Sequence, residues 1–378
     1  MNCVDDKLKE ELLELSRYIY DNPELGYEEY KASAAHAALL EKHGFQVQRG
    51  YLGIETGFRA EYVKGEGATV AYLSEYDALP QVGHGCGHNI MGTLSTGAAI
   101  HLKEHMGDSH GRIVVIGTPA EETDGAKVKY SKDGAFDDVD VALAHHISLE
   151  GIRLGSNSGN GFVSKVIRIK GKAAHAAGCP EKGVNALSAA SLGLQALALN
   201  RETFRDEDCV RVHPILTKGG DLVNVVPDEA VLETLVRGKT LEAFADASVK
   251  TDRSFKAGAL AMGAGYRIET MPGYLPSLWQ PAPEEMADAV KALAGEKTVY
   301  EVRPEEHSGG STDVGDVQHL LPVITFNTGG AVGGLHQVDF DIVDEEEAYV
   351  LTAKIFALSA YRMLKDGAEV TKRTKQEY

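Results

Sequence analysis

The stretch Thr69-Val70-Ala71-Tyr72-Leu73-Ser74-Glu75-Tyr76-Asp77-Ala78-Leu79-Pro80 decides the fold. Its first half reads as a buried β-strand, with Val70, Ala71, Tyr72 and Leu73 in an uncharged run. Its second half puts Glu75 and Asp77 directly after that strand, where open α/β sheets place their chemistry. Two further stretches repeat the arrangement. Arg112 to Gly117 is a nearly continuous apolar run ending in Thr118-Pro119-Ala120-Glu121-Glu122, and Val139 to Ala144 ends in His145-His146. Strands that finish in carboxylates or histidines are expected to converge on one site at the C-terminal edge of a sheet.

Around these strands the pattern is helical. Leu8, Leu12, Leu15 and Ile19 recur at helical spacing from Lys7 to Tyr20, and Asn22-Pro23 supplies the stop. Glu28 to Lys42 and Thr93 to Lys103 read as further helices, with a strand from Gly57 to Val63. The pattern changes near residue 160. Phe162 to Lys170, Val210 to Thr217 and Ala230 to Arg237 read as strands, and Gly183 to Asn200 and Leu241 to Met262 as helices. That order predicts a smaller two-layer α/β sandwich interrupting the first domain. The proline-rich stretch from Gly273 to Pro283 returns the chain to helix Glu284 to Leu293, strand Leu321 to Thr325 and a closing helix Asp344 to Leu364. A charged tail, Lys365 to Tyr378, is expected to fray. The expected division is residues 1–161 and 277–378 for a catalytic α/β domain with a central mixed sheet flanked by helices, and 162–276 for the inserted domain.

With 378 residues and 43% hydrophobic content the chain has room for two cored domains. A formal charge of -18 argues against nucleic acid or an anionic membrane surface as partner. The N-terminal segment has neither the basic start nor the apolar core of a secretion signal, and no apolar run reaches bilayer length. Cys3, Cys86, Cys179 and Cys209 show no disulfide-framework spacing. A reducing, cytoplasmic setting is expected.

The run Gly83-His84-Gly85-Cys86-Gly87-His88-Asn89 packs a cysteine and two histidines between glycines. Cys86 as thiolate and His88 as neutral imidazole suit zinc and similar divalent ions if the backbone turns tightly, as glycine allows. The same pair also fits a plain turn with a buried thiol. In Glu121-Glu122, one of two adjacent carboxylates can bind a metal while its neighbour takes a proton from water.

Taken with SEYDALP (74–80), PAEE (119–122), GKAAHAAGCPEKGVNAL (171–187), NVVPDEA (224–230), STDVGD (311–316) and GGLH (333–336), this run makes the chain resemble the M20 family of metal-dependent amidohydrolases and peptidases, in the branch of aminoacylase-like and aminobenzoyl-glutamate hydrolases. The motifs occur in family order along nearly the whole chain. The resemblance implies two divalent metal ions, zinc or manganese with cobalt possible. It makes Cys86 the bridging ligand and His88, Glu122, His146 and His336 the others, with His145 as rival to His146. It makes Glu121 the general base, and His175 a donor from the inserted domain to the substrate or its developing oxyanion. Asn224 and Arg237 then bind the substrate's polar atoms or terminal carboxylate, and Asp77 orients a ligand. The inserted domain would serve as a lid and as the contact of a homodimer. The implied reaction is hydrolysis of a small dipeptide or an N-acyl or N-aminobenzoyl amino acid by metal-activated water. Asn89 stands where many relatives carry Asp, which points toward the branch cleaving aminobenzoyl-glutamate and small dipeptides.

Two other readings use the same residues. In one, Cys86 is a nucleophile with His88 or His84 as base, which leaves the Glu/His set without a task. In the other, the scaffold only binds a small ligand, and the intact Glu121 speaks against it.

Overall fold

The computed structural model describes residues 4–149 and 151–378, so Cys3 lies outside the described residues. The chain forms two compact units. One holds the chain up to Ser158, Leu278–His307 and Asp316–Tyr378; the other holds Gly159–Ser277 and Ser308–Gly315.

The first unit is built on an eight-stranded mixed sheet. Its strands are β1 (Gln46–Arg49), β2 (Phe58–Lys64), β3 (Thr69–Ser74), β4 (Gly111–Gly117), β5 (Val141–Ile147) and β6 (Ile152–Leu154), with Val299–Glu301 and Val323–Thr328. The order is β1-β2-β4-β3-β5, then Val323–Thr328, β6 and Val299–Glu301. β4, β3, β5 and Val323–Thr328 run parallel, so their C-terminal ends share one edge. β3 is buried at every residue, as a strand covered by helices on both faces must be.

Helix α1 (Asp6–Asp21) buries Leu8, Leu12, Leu15 and Ile19 on one stripe, and α2 (Tyr30–Lys42) follows. Helix α3 (His88–Glu104) is buried from His88 through Leu102. It begins before the Thr93 start expected from the sequence, which puts His88 on its first turn. A π-helical turn, Glu346–Leu351, runs into helix Thr352–Leu364, whose face packs on α3.

In the second unit, strands Ile215–Lys218, Glu229–Gly238, Gly161–Lys170 and Gly265–Pro272 form an antiparallel sheet in that order. Helices Ala186–Asn200 and Leu241–Ala261 cover one face. Ile167, Ile169, Leu197, Leu232, Val236 and Phe255 make the core between the layers.

Several details differ from the sequence reading, among them three unexpected strands of the large sheet, β1, β6 and Val299–Glu301, and a β5 that continues through His145-His146 to Ile147. The strand expected from Val210 to Thr217 is two, Arg211–Val212 and Ile215–Lys218, separated by His213-Pro214, where proline has no N–H for the ladder. Gly265–Pro272 is an additional edge strand. A short helix α4 (Ala126–Lys132) follows the Glu121-Glu122 loop. The charged tail is not frayed. It forms helix Glu369–Glu377, which buries Thr371 and Thr374 and pairs Lys375 with Asp140 at 2.8 Å and Arg373 with Glu285. No helix among the described residues is long and apolar enough to cross a membrane.

Candidate active site

Gly87 sits at the entrance to α3 with φ 80°, and a Cβ there would meet Ile147 Cγ2 at 3.0 Å. Conformation and space both call for glycine. The turn it permits places Cys86 just before the helix and His88 at its first position, both buried. His88 Nδ1 lies 2.8 Å from Asp77 Oδ1, just past β3. His88 Nε2 is buried without a hydrogen bond. Carboxylate oxygens of Glu75, Glu121 and Glu122 stand 3.6, 4.0 and 4.0 Å from that nitrogen. These separations exceed a hydrogen bond and suit donors arranged around a common cation.

Asp77 does a second thing. Its Oδ2 accepts the Glu122 backbone N–H at 2.9 Å. One buried carboxylate therefore fixes both the ring of His88 and the loop after β4, as outer carboxylates do around metal sites.

The His145-His146 doublet lies on β5, where successive side chains point to opposite faces. His145 Nε2 meets Thr328 Oγ1 at 2.8 Å, and its ring packs edge-on against Phe356. His146 Nδ1 donates to the Ile147 carbonyl at 3.0 Å, and its Nε2 lies 3.5 Å from Cys86 Sγ. That tautomer leaves the lone pair of Nε2 facing the sulfur. His336 arrives from the C-terminal part of the unit. Its backbone N–H donates to Gly85 O at 2.8 Å, which ties its loop to the cysteine turn. His336 Nε2 stands 3.2 Å from both Cys86 Sγ and Glu122 Oε1.

Burial pushes the Cys86 thiol up to about 12, against the pull of neighbouring His88. Burial also opposes charge on His88, but Asp77 outweighs it and holds the imidazole well above its ordinary range. A protonated thiol is a poor nucleophile, and a divalent ion would take the proton's place on sulfur. The set of one sulfur, three imidazoles and a carboxylate, with a buried ring nitrogen lacking a hydrogen bond, fits divalent metal ions.

Other expected residues lie elsewhere. His84 Nε2 donates to Ile19 O at 3.1 Å and so faces α1. Asn89 Nδ2 donates to Ser16 Oγ at 3.0 Å, and Ser16 in turn to Tyr349 OH at 2.6 Å, so Asn89 ties α3 to α1 instead of joining the converging donors. His175, Asn224 and Arg237 belong to the second unit. His175 is exposed, and its Nδ1 accepts the Ala177 and Gly178 N–H groups at 3.2 and 3.0 Å. The proton must then sit on Nε2, which makes the ring a donor. Asn224 is exposed, and its carbonyl receives the Ala176 N–H at 2.9 Å. Arg237 stacks over Phe162 at 5.2 Å and donates to Ser311 Oγ at 2.6 Å.

The sequence puts Glu75 at a chemistry-bearing strand end without giving it a role, and singles out neither Glu29 nor Lys127. Lys127, fully buried on α4, pairs with Glu75 Oε1 at 2.8 Å. The signal for Glu75 is present in its place after β3; Lys127 has none, because a lysine in a short polar helix normally faces water.

The model of peptidase family M20/M25/M40 matches residues 71–362. The chain belongs to this family. It is accordingly a hydrolase of the peptidase and amidohydrolase class. It is 33% identical to a mouse Xaa-Arg dipeptidase, over 84% of this chain and 76% of that one. It is 32% identical to one of the polypeptides of the p-aminobenzoyl-glutamate hydrolase of Escherichia coli, over 71% of this chain and 58% of that one. A dinuclear metal-binding M20 peptidase from Bacillus subtilis shares the fold, with TM-score 0.73, 23% identity, and 96% and 99% of the two chains covered.

Proposed function

We propose that this family member hydrolyses the amide bond of small dipeptides, with N-acyl or N-aminobenzoyl amino acids as the neighbouring substrate class. Cys86, His88, Glu122, His146 and His336 would hold two divalent cations, zinc or manganese with cobalt able to replace them, which polarise the scissile carbonyl and lower the pKa of water. Glu121, beside a proposed ligand yet not one itself, takes the proton of the attacking water and passes it to the leaving amine. His175, with its proton on Nε2, serves as donor to the developing oxyanion. Asn224 and Arg237 bind the substrate's polar backbone atoms and terminal carboxylate. His146, not His145, is the proposed ligand, because the Nε2 of His145 is engaged by Thr328.

The inserted segment, residues 162–276, is proposed as the lid and dimerisation element. Ile215–Lys218 is an edge strand of its sheet, with Ile215 and Leu216 exposed and Leu222 and Val223 exposed nearby in sequence. An uncovered apolar edge favours pairing with a second copy. A cytoplasmic location fits the free thiols of Cys86, Cys179 and Cys209.

One observation carries the reading: His146 Nε2 and His336 Nε2 stand 3.5 and 3.2 Å from Cys86 Sγ, with Glu122 Oε1 3.2 Å from His336 Nε2. The test is release of amine from Xaa-Arg dipeptides, aminobenzoyl-glutamate and N-acyl amino acids by chelator-treated protein resupplied with zinc, manganese or cobalt. Metal-restored cleavage, fastest on dipeptides, is expected. Chelator-resistant turnover blocked by thiol alkylation would instead make Cys86 the nucleophile, and binding without turnover of any substrate would leave only a binding protein.

Asp77→Asn is a sharper probe of the ligand set. An asparagine side chain has one acceptor oxygen, so it cannot serve both the His88 ring N–H and the Glu122 backbone N–H. Apparent metal affinity is expected to fall about 10–100-fold, read by calorimetric titration of metal-free protein. Unchanged affinity would show that Asp77 does not orient the ligands.

A further inference from the structure

Glu29 occupies the N-cap position of α2 but does not cap it. Glu24 does that work instead, accepting from Lys31 N at 3.1 and 2.8 Å and from Ala32 N at 3.0 Å. The side chain of Glu29 is fully buried and points elsewhere. Its Oε1 accepts the backbone N–H of Ala120 at 2.8 Å. Ala120 has φ 65°, a left-handed conformation that disfavours any residue with a Cβ. It directly precedes Glu121. On the other side of Glu121, the Glu122 N–H is held by Asp77 Oδ2 at 2.9 Å.

The contact is built from both sides. A Cβ on Gly26 would meet Thr123 Oγ1 at 2.5 Å and Ala120 Cβ at 3.0 Å, so the segment before α2 lies directly on the turn that carries Glu121. Burial, with the charge of Asp77 adding to it, pushes the Glu29 carboxyl up to about 7. An acidic side chain kept out of water needs a compensating partner. Here that partner is a strained loop residue, although a helix end was available one residue away.

We propose that Glu29 is a positioning residue for Glu121: together with Asp77 it clamps the backbone on either side and holds the left-handed turn at Ala120 that aims the Glu121 carboxylate. The proposal rests on Glu121 being the general base. It acts through the backbone, so an acceptor oxygen at that position is what matters, and the negative charge is dispensable. Displacing a catalytic group by about an ångström can cost on the order of 100-fold in rate.

The experiment compares Glu29→Gln, Glu29→Met and Glu29→Asp in the metal-loaded full chain, with Glu121→Gln alongside. Glu29→Gln keeps an acceptor of the same reach, and its kcat should stay within about threefold of wild type. Glu29→Met removes the acceptor and Glu29→Asp withdraws it by one methylene; kcat should fall about 10–100-fold in both, with KM and metal content per chain unchanged. If the methionine variant does not fold, the aspartate against the glutamine decides. Equal kcat for all three Glu29 variants, beside an inactive Glu121→Gln enzyme, would overturn the positioning role and leave the base intact. So would losses that track metal content or KM instead of kcat. Full turnover by Glu121→Gln would remove the base reading on which the proposal stands.

Discussion

Glu121→Gln should lower kcat by about 10²–10⁴-fold, equivalent to roughly 3–5 kcal/mol in the barrier, while KM and bound metal stay near wild-type values. The substitution is isosteric, and the loop that carries it is held by backbone contacts on both sides, Ala120 to Glu29 and Glu122 to Asp77. What changes is the capacity to accept a proton. Glutamine at 121 can still accept a hydrogen bond from water but cannot carry its proton to the leaving amine. Glu122 cannot take over, because its Oε1 faces His336 at 3.2 Å within the donor cluster. Because the loss lies in the transition state alone, it should appear equally in kcat and kcat/KM. Steady-state kinetics on one dipeptide, with metal content measured on the same samples, makes the check. Wild-type turnover from the variant would rule out Glu121 as the proton carrier.

The central strands of the sheet were legible in the sequence because they are covered on both faces and so read as nearly continuous apolar runs. β3 and β4 are of this kind. Edge elements were harder. Gly265–Pro272 is largely exposed, so neither periodicity nor composition separates it from a loop. The helix Glu369–Glu377 is mostly charged and is ordered by two buried threonines and ion pairs to distant residues, which no local pattern reveals.

At the site, residue types were legible and orientations were not. A doublet such as His145-His146 offers two equal candidates in sequence, and only the alternation of β5 turns one toward Thr328 and the other toward Cys86. Asn89 ends a loop rich in potential ligands, yet the first turn of α3 rotates it toward Ser16. The residues that sequence reasoning passed over, Glu29 and Lys127, contribute through burial and through contacts with chain segments far away in sequence. Neither property can be read from their neighbours in the chain.

Lys127→Met should cost about 3–5 kcal/mol of stability, the range for removing one partner of a buried ion pair. Lys127 is fully buried and the Glu75 side chain nearly so, with Nζ and Oε1 2.8 Å apart. Methionine fills much of the same volume but removes the cation hydrogen-bonded to the Glu75 carboxylate, leaving it only the His88 ring at 3.6 Å in a region already holding Asp77, Glu121 and Glu122. The double variant Glu75→Gln, Lys127→Met should recover most of the loss, since neutralising both members of a buried pair is far less costly than orphaning one. The shift in urea midpoint, read on chelator-treated protein, isolates this effect. Adding zinc should then narrow the gap between Lys127→Met and wild type, because Glu75 Oε2 stands 3.6 Å from His88 Nε2 and a divalent ion taking the place of the proton on that nitrogen would add positive charge there. An unfolding free energy for Lys127→Met within about 1 kcal/mol of wild type, the range of an exposed pair, would mean that the lysine does not neutralise Glu75.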